Sequence, residues 1–256
     1  MSVQALIDFW KTPVISDSAG QYFHPRDKET LQNWISKATH GKQRTVHAHD
    51  QSHFADGQPR TGQLHLNLPP MPYVGNLKAA KVVIGMINPT VAWLDYEDNR
   101  RDDFQTLRAR NLQQSEDRSF ALDPHAEVKA TSWSSYYSAM FKGFLDEYAA
   151  GASRQEAEEK LMLETAILEL VPYYSQNATL ITQTGLQQEL ASAQHALKAM
   201  KEFADRRDVL VICRWKSGLE RWQLGSESHS ATVACSKSRR GLGKDTKKAL
   251  AAHMQL

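Results

Sequence analysis

An amide side chain stands at the end of the most regular apolar run in the chain. Segment 81–90 reads KVVIGMINPT, and its β-branched residues predict a central strand covered on both faces. Pro89 cannot donate to a sheet ladder and disfavours helical geometry at Asn88, so the chain leaves the sheet there. Ligands of open α/β sheets bind at this carboxyl edge. The pattern predicts either a ligand-contacting amide or, since Asn-Pro is a common turn dipeptide, an amide that only caps the next segment.

A second polar group follows the last predicted strand, Ala231 to Cys235. Segment 236–243 reads SKSRRGLG, in which two hydroxyls and three cations precede the final helix. Such residues contact phosphate through side chains, backbone amides and a helix N-terminus. We predict that the phosphate-contacting residues here are Ser236, Lys237, Ser238, Arg239 and Arg240, joined by Arg214 and Lys216 at the end of the preceding strand.

The run from Ile167 to Val171 repeats the design of the first strand, because proline and polar aromatics follow it in segment 172–175, PYYS. Two such strand ends predict two loops that meet at one cleft. Glu169 lies inside this run, where an unpaired carboxylate is expensive to bury. We expect a core carboxylate with a partner there, and a site residue is the alternative.

The apolar strand ending in Ile87-Asn88-Pro89 resembles the first motif of the uracil-DNA glycosylase superfamily, most closely that of its mismatch-specific thymine/uracil branch, whose strand ends in Gly-Ile-Asn-Pro-Gly. The chain departs from that pattern with Met86 and Thr90, where the branch carries glycine. The resemblance implies that Asn88 is catalytic and positions the water that attacks the sugar once a base is flipped out. The superfamily's second motif has the place of segment 236–243, but its letters do not match, so no second catalytic residue carries over.

The resemblance also gives the neighbouring side chains a use. Trp93 or Tyr96, a few residues after Asn88, is expected to stack on a flipped base, although either ring also suits a core position. Asp95 is expected to contact exocyclic donors of the base. Tyr173, after the second strand, is expected to stack on the base or hydrogen-bond to it.

The implied activity is that of a monofunctional DNA glycosylase, which removes a mismatched or modified base and leaves an abasic site. One hypothesis is antiviral defence, with glucosylated hydroxymethylcytosine of phage DNA as the substrate. The alternatives are a non-catalytic DNA-binding module of the same fold and a nucleotide or nucleoside hydrolase. We expect no cofactor and no metal, double-stranded DNA as the partner, and a monomer.

Composition indicates an ordinary globular chain of 256 residues, with 41% apolar and 23% charged content. We expect one α/β domain, a three-layer sandwich around a mostly parallel sheet of four to five strands. In it, a helical elaboration (1–78) precedes the glycosylase-like core (79–256). The sequence shows neither an apolar run of membrane-spanning length nor the basic start of a signal peptide, so we expect a cytoplasmic protein without membrane contact.

The distribution of charge and the number of cysteines indicate which partners and cofactors suit this chain. The net charge is only +2, but from Lys198 onward thirteen Lys and Arg face six Asp and Glu, whereas segment 146–194 carries two against eight. This local basic excess suits phosphate neutralisation, and a solvated helix face is the alternative. Cys213 and Cys235 are too few for a cubane cluster, which excludes the iron–sulfur branches of the superfamily.

Periodicity predicts the remaining elements. We expect an exposed loop over Val91 to Asp98, helices over Val3 to Trp10, Lys28 to Ala38, Ser132 to Tyr148, Arg154 to Thr165 and Gly185 to Arg207, and strands over Leu64 to Leu68, Thr179 to Thr182 and Asp208 to Cys213. The segment with His47, His49 and His53 is expected to be a surface loop, and zinc ligation with Asp50 is the less favoured alternative.

Overall fold

The structure, a computed structural model, describes residues 2–37, 44–46, 54, 62–115, 132–149, 153–214, 217–225, 232–236 and 241–255. Its strands are β1 Ile15–Ser16, β2 Tyr22–Phe23, β3 Tyr73–Val74, β4 Val82–Met86, β5 Thr165–Glu169, β6 Leu210–Arg214 and β7 Thr232–Ser236. Its helices are α1 Ser2–Trp10, α2 Lys28–Ser36, α3 Trp93–Asp98, α4 Asp102–Leu112, α5 Ser132–Tyr148, α6 Ser153–Glu164, α7 Thr179–Thr184, α8 Leu186–Glu189, α9 Ala191–Ala204, α10 Gly218–Arg221 and α11 Lys244–Met254.

Five of the strands form one mixed sheet in the order β3-β5-β4-β6-β7. Strands β4, β5, β6 and β7 run parallel to one another, and β3 is an edge strand that pairs antiparallel with β5. The chain goes from β4 to β5 on one side and then crosses to β6 and β7 on the other, so the strand order reverses between β4 and β6. In doubly wound sheets, the crevice at that reversal is where ligands bind.

Two hydrophobic clusters cover the two faces of this sheet. Val83 of β4 belongs to the cluster that α1 and α9 complete, and Ile84, the next residue, belongs to the cluster that α5 and α11 complete. Alternate residues of a strand point to opposite faces, which explains why the run is apolar throughout. The α/β three-layer prediction is therefore confirmed, and α1 of the expected N-terminal elaboration packs directly on α9.

Gly85 lets one face close tightly over β4. A Cβ at this position would lie 2.6 Å from Nε1 of Trp222 and 2.8 Å from Cε of Met200. The absence of a side chain therefore allows the indole of Trp222 to lie against the strand.

Three of the expected elements differ in the structure. Leu64, Leu66 and Leu68 are all buried, but only Leu64 makes isolated bridges, so the alternation does not mark a half-exposed strand. Thr179–Thr184 is helix α7 instead of a strand, and the long helix expected from residue 185 is broken at Leu190, whose backbone is extended. The apolar spacing of these short segments fits both periods, which is why periodicity alone chose wrongly.

Segment 91–98 was expected to be an exposed loop, and most of it is the short helix α3. Asp95, Tyr96 and Asp98 of this helix are buried. Elsewhere the helices over the first residues and over segment 132–148 lie where periodicity placed them. Among the described helices, none is both long and apolar enough to cross a bilayer.

Candidate functional site

A row of four side chains crosses the carboxyl edge of the parallel strands. Met86 is paired with Glu169 on one side, and Gly85 with Cys213 on the other, which brings Arg214 level with Met86. Arg214 is in turn paired with Ser236. Neighbours in register project to the same face of a sheet, so these side chains all point towards α5.

The loops that follow β4 and β5 are joined by hydrogen bonds just beyond this row. Ser175 N–H donates to the Pro89 carbonyl over 3.2 Å, and Val91 N–H donates to the Ser175 carbonyl over 3.1 Å. The prediction that these two strand ends meet is confirmed.

A cavity of about 170 Å³ lies where these loops meet α5. Its lining consists of Met86, Asn88, Pro89, Thr90, Ala92, Asp95, Trp133, Tyr136, Tyr137 and Glu169. An engineered apolar cavity of about 150 Å³ binds benzene, so this cavity has room for one six-membered planar ring. We call it the ring-lined cavity.

The Asn88 amide is held in one orientation. Its Nδ2 donates to the Pro89 carbonyl over 3.0 Å and to the Ser175 hydroxyl over 2.8 Å. The carbonyl can only accept, and the Ser175 hydroxyl spends its own proton on the Asn177 carbonyl, 2.6 Å away. Both amide hydrogens are thus committed, and Oδ1 is left as a hydrogen-bond acceptor on a residue that lines the cavity.

Glu169 contributes an unpaired carboxyl group to the same cavity. The side chain is only 2% exposed, and Oε2 has no hydrogen-bond partner among the described residues. Burial raises the pKa of Glu169 well above its ordinary value, because the charged form is disfavoured away from water. Burial therefore favours the neutral carboxylic acid form of Glu169, which has one proton to donate, over the carboxylate. The expectation of a partnered core carboxylate was wrong.

The rings that line the cavity come from α5. Trp133, Tyr136 and Tyr137 share one side of this helix, and Tyr136 is the most exposed of them, at 37%. The sequence did not identify these rings as lining residues, because spacing along a helix shows which face is buried but not where that face meets a cavity. The hydroxyl groups of Tyr136 and Tyr137 were the feature of the sequence that could have indicated a site on this face of α5.

The rings expected to hold a base lie elsewhere. Trp93 stacks on Tyr96 with 5.7 Å between ring centroids, and its Nε1 donates to Glu97 over 2.8 Å. The Tyr96 hydroxyl donates to Oδ1 of Asn67 over 3.0 Å. Neither ring lines the cavity beside Asn88.

Tyr173 does not face the cavity either, so its placement as a base-contacting residue was wrong. It is fully buried in the cluster on the opposite face of the sheet. Its hydroxyl donates to the buried carboxylate of Asp27 over 3.0 Å and accepts from the backbone N–H of His24. Tyr173 thus connects β5 to the N-terminus of α2.

Asp95 does line the cavity, as its expected role in contacting a base requires. Its Oδ2 accepts from the backbone N–H of Ala92 over 2.7 Å, which caps the start of α3. The carboxylate therefore also fixes the position of the loop that carries Asn88.

Arg214 and Ser236 are fully buried instead of exposed to a phosphate backbone. Nη1 of Arg214 donates to the Ser236 hydroxyl over 3.2 Å and to the Gly241 carbonyl over 2.5 Å. Arg214 also hydrogen-bonds to the hydroxyl of Tyr136. Arg214 therefore connects β6 to Ser236, to Gly241 and to the ring of Tyr136 in the cavity. The prediction that Arg214 and Ser236 contact phosphate at the surface was wrong.

Several predicted residues lie outside the part of the chain that the structure describes. They are Lys216, Lys237, Ser238, Arg239, Arg240, His47, His49 and His53. Among the residues that are described, no group of three His, Cys, Asp or Glu side chains has the arrangement of a metal site.

Comparison of the chain with protein-family models, with curated proteins and with solved structures gave no match. The function is accordingly argued from the geometry of the ring-lined cavity.

Proposed function

We propose that this protein is a DNA glycosylase that turns a pyrimidine nucleotide out of duplex DNA and cleaves its N-glycosidic bond, leaving an abasic site. The observation that carries the proposal is the Asn88 amide, whose two Nδ2 hydrogens are committed and whose Oδ1 is left as an acceptor on a residue that lines a cavity with room for one planar ring. The cavity also lies at the carboxyl edge of the parallel strands, where open α/β sheets bind ligands.

In this proposal Asn88 orients the attacking water. The water donates one hydrogen bond to Oδ1, which directs its lone pair at the sugar carbon as the base departs. An amide is a poor proton acceptor, so Asn88 places the nucleophile without activating it. The reaction therefore depends on a base that leaves readily, such as a mismatched or modified one.

Glu169 reads the base and helps it to leave. A neutral carboxylic acid offers one donor and one acceptor side by side. The pair fits a cytosine edge, with the proton directed to N3 and the carbonyl accepting from the 4-amine, and it fits the N3–H and carbonyl of uracil or thymine equally. Negative charge develops on the departing base, and a donor already placed beside that charge stabilises the transition state.

The rings of α5 hold the base in place. Flipped bases are stacked between aromatic or apolar side chains, which repays part of the cost of unstacking them from the duplex. Trp133 and Tyr137 are buried walls of the cavity, and Tyr136 is accessible from outside. The ring of Tyr136 is thus the first that an incoming base meets.

The size of the cavity bears on the substrate. About 170 Å³ encloses a pyrimidine ring and leaves no room for an attached sugar. For glucosylated hydroxymethylcytosine, the antiviral substrate we propose for testing, the glucose therefore lies outside the cavity. The proposal further takes duplex DNA as the partner, the monomer as the active form and the cytoplasm as the location.

The test is base excision from labelled duplexes. We expect alkali-sensitive abasic sites in one or more duplexes that carry uracil, a thymine mismatch, hydroxymethylcytosine or its glucosylated form. Asn88→Ala should abolish this cleavage. Asn111→Ala is the matched control, because Asn111 is also buried and makes two hydrogen bonds, to Gly75 N–H and the Tyr73 carbonyl, outside the cavity.

Three results would contradict the proposal. Failure on every duplex together with intact DNA binding would indicate a non-catalytic module. Release of bases from free nucleosides or nucleotides alone would indicate a small-molecule hydrolase. Equal loss of activity in the Asn88 and Asn111 variants would show that Asn88 acts only through stability.

A further inference from the structure

A second cavity lies on the outer side of α3 and has the opposite chemistry to the first. Its volume is about 450 Å³, and polar side chains of α3, α4 and segment 67–69 surround it. Arg100 and Arg108 are its charged members, and none of the described residues that line it is an aspartate or glutamate. We call it the arginine cavity.

Arg108 is the unusual member of this lining. Its Nη2 donates to Oε1 of Gln105 over 2.9 Å. Its Nε and Nη1 are shielded from solvent and have no hydrogen-bond partner among the described residues. Three N–H donors are therefore unsatisfied, one on Nε and two on Nη1. Each unsatisfied buried donor, above all a charged one, costs stability.

The nearby carboxylates do not neutralise Arg108. Asp98 and Asp103 both pair with Arg101, over 3.2 and 2.8 Å. Glu97 accepts from Trp93, and Asp95 caps α3. Within the described ranges, no ion pair reaches Arg108.

Arginine cannot relieve its burial by losing a proton. Burial lowers the pKa of the Arg108 guanidinium, but an arginine in a protein remains protonated at every pH at which proteins fold. A charge that is shielded from water lowers stability unless it is paired and hydrogen-bonded. Arg108 stays charged at the wall of a polar cavity with no counter-ion among the described residues, and an anionic ligand would supply one.

The geometry points to a phosphate-binding site: we propose that the arginine cavity takes a phosphate group, with Arg108 turning its free N–H donors towards it. Arg100 supplies a second positive charge from the end of α3, where its guanidinium lies 5.9 Å above the Trp93 ring. Guanidinium groups are suited to phosphate because several donors meet several oxygens at once.

Neighbouring amides fix the arrangement. Nε2 of Gln105 donates to the Asn99 carbonyl over 2.7 Å, so its Oε1 must face Arg108. Helix α3 contributes to both cavities, because Asp95 lines the ring-lined cavity and Tyr96 lines the arginine cavity. A phosphate in the arginine cavity is therefore bound on the same helix that contributes to the site proposed for the base.

The phosphate has two possible sources, the backbone of a DNA strand and a free phosphate monoester. The first rests on the proposed function, and the second does not. Thermal unfolding with sodium phosphate, compared with sodium chloride at equal ionic strength, measures the site without any reaction. Anisotropy with an unmodified duplex measures the DNA source.

Arg108→Met is the test variant, and Arg110→Met is its control, because it removes an exposed positive charge from the same helix. We expect phosphate to raise the Tm of the wild type and of the control by about 5 °C at a concentration about one hundred times its Kd. The rise should vanish in Arg108→Met. If DNA supplies the phosphate, the duplex should bind about tenfold more weakly to Arg108→Met than to the control.

An affinity for duplex that is equal in both variants, with phosphate and a 5′-mononucleotide still binding through Arg108, identifies the free monoester. The proposal is overturned if isothermal titration of the wild type finds no saturable binding of phosphate, mononucleotide or duplex. It is equally overturned if Arg108→Met binds all three as the wild type does. Titration of the wild type decides even if the variant fails to fold. Asn88→Ala should keep every Arg108-dependent signal, so loss of glycosylase activity and loss of this site are separate outcomes.

Discussion

The ring-lined cavity and the arginine cavity each contain an ionisable side chain that has no counter-ion in the described part of the chain, and the two side chains, buried Glu169 and half-buried Arg108, respond differently. Burial raises the pKa of Glu169 and thereby favours its uncharged, protonated form. Arg108 stays charged although burial lowers its pKa. Neutral Glu169 is therefore stable in the ring-lined cavity without a ligand. Arg108 stays charged and lowers the stability of the folded protein as long as no anion is bound.

This difference separates two kinds of site. A neutral acid can take part in proton donation and in hydrogen bonding to an uncharged base, which suits a chemical step. A permanent cation suits the capture of an anion and leaves chemistry to other groups. The comparison predicts that damage to the first cavity abolishes turnover and that damage to the second weakens binding.

The largest expected effect separates the two cavities directly. Asn88→Ala should lower single-turnover excision at saturating duplex by about 10²- to 10⁴-fold, the usual contribution of a positioned catalytic group, with duplex affinity unchanged. Arg108→Met should have the opposite effect: it should weaken duplex binding but leave the single-turnover excision rate at saturating DNA unchanged. A lower single-turnover excision rate for Arg108→Met at saturating DNA would contradict this distinction between the two cavities.

Changes at Glu169 come next. Glu169→Gln keeps one donor and one acceptor, so excision at neutral pH should fall less than about tenfold, whereas Glu169→Leu should lose about 10²-fold through loss of the donor. Wild-type activity should be lost as pH rises through the raised pKa of Glu169, since the carboxylate cannot donate. The Gln variant should lack this alkaline decline, and a decline that persisted would assign it to another group.

Stability should depend on pH in a matching way. The unfolded chain releases the Glu169 proton near the ordinary glutamate pKa, while the folded protein keeps it, so the folded state binds more protons between the two pKa values. Stability therefore falls with rising pH in that window, by up to about 1.4 kcal/mol per pH unit. Denaturant unfolding at several pH values should show Glu169→Gln gaining on the wild type as pH rises. A constant difference would contradict a buried neutral acid.

The smallest effect is expected for Trp93, one of the two rings that the sequence offered for stacking on a base. Trp93→Phe should change the excision rate less than about twofold, because Trp93 lies outside the ring-lined cavity and stacking residues matter only where they touch the base. Tyr136→Ala should reduce it about tenfold, as expected from losing about 1–3 kcal/mol of base stacking. If Trp93→Phe lowered the excision rate more than Tyr136→Ala, the ring that stacks on the base would belong to α3 instead of α5.

The sequence by itself determined the α/β fold and the place of Asn88. A β-branched run that stops at Asn-Pro specifies both a buried strand and the edge at which it ends, and these are local properties of a few consecutive residues. The same holds for the parallel ends of β4 and β5, whose loops meet as expected. Helix α5 also lies where its period placed it.

Only the tertiary structure decided which side chains surround Asn88. Trp93 is nearer in sequence, but the rings of α5, about fifty residues later, reach the cavity because that helix covers the same face of the sheet. Arg214 and Ser236 looked like surface groups until register placed them in a buried row. Whether Glu169 and Arg108 have partners is likewise a property of long-range packing: periodicity shows that a residue is buried, but a missing counter-ion is visible only when every neighbouring element is in place.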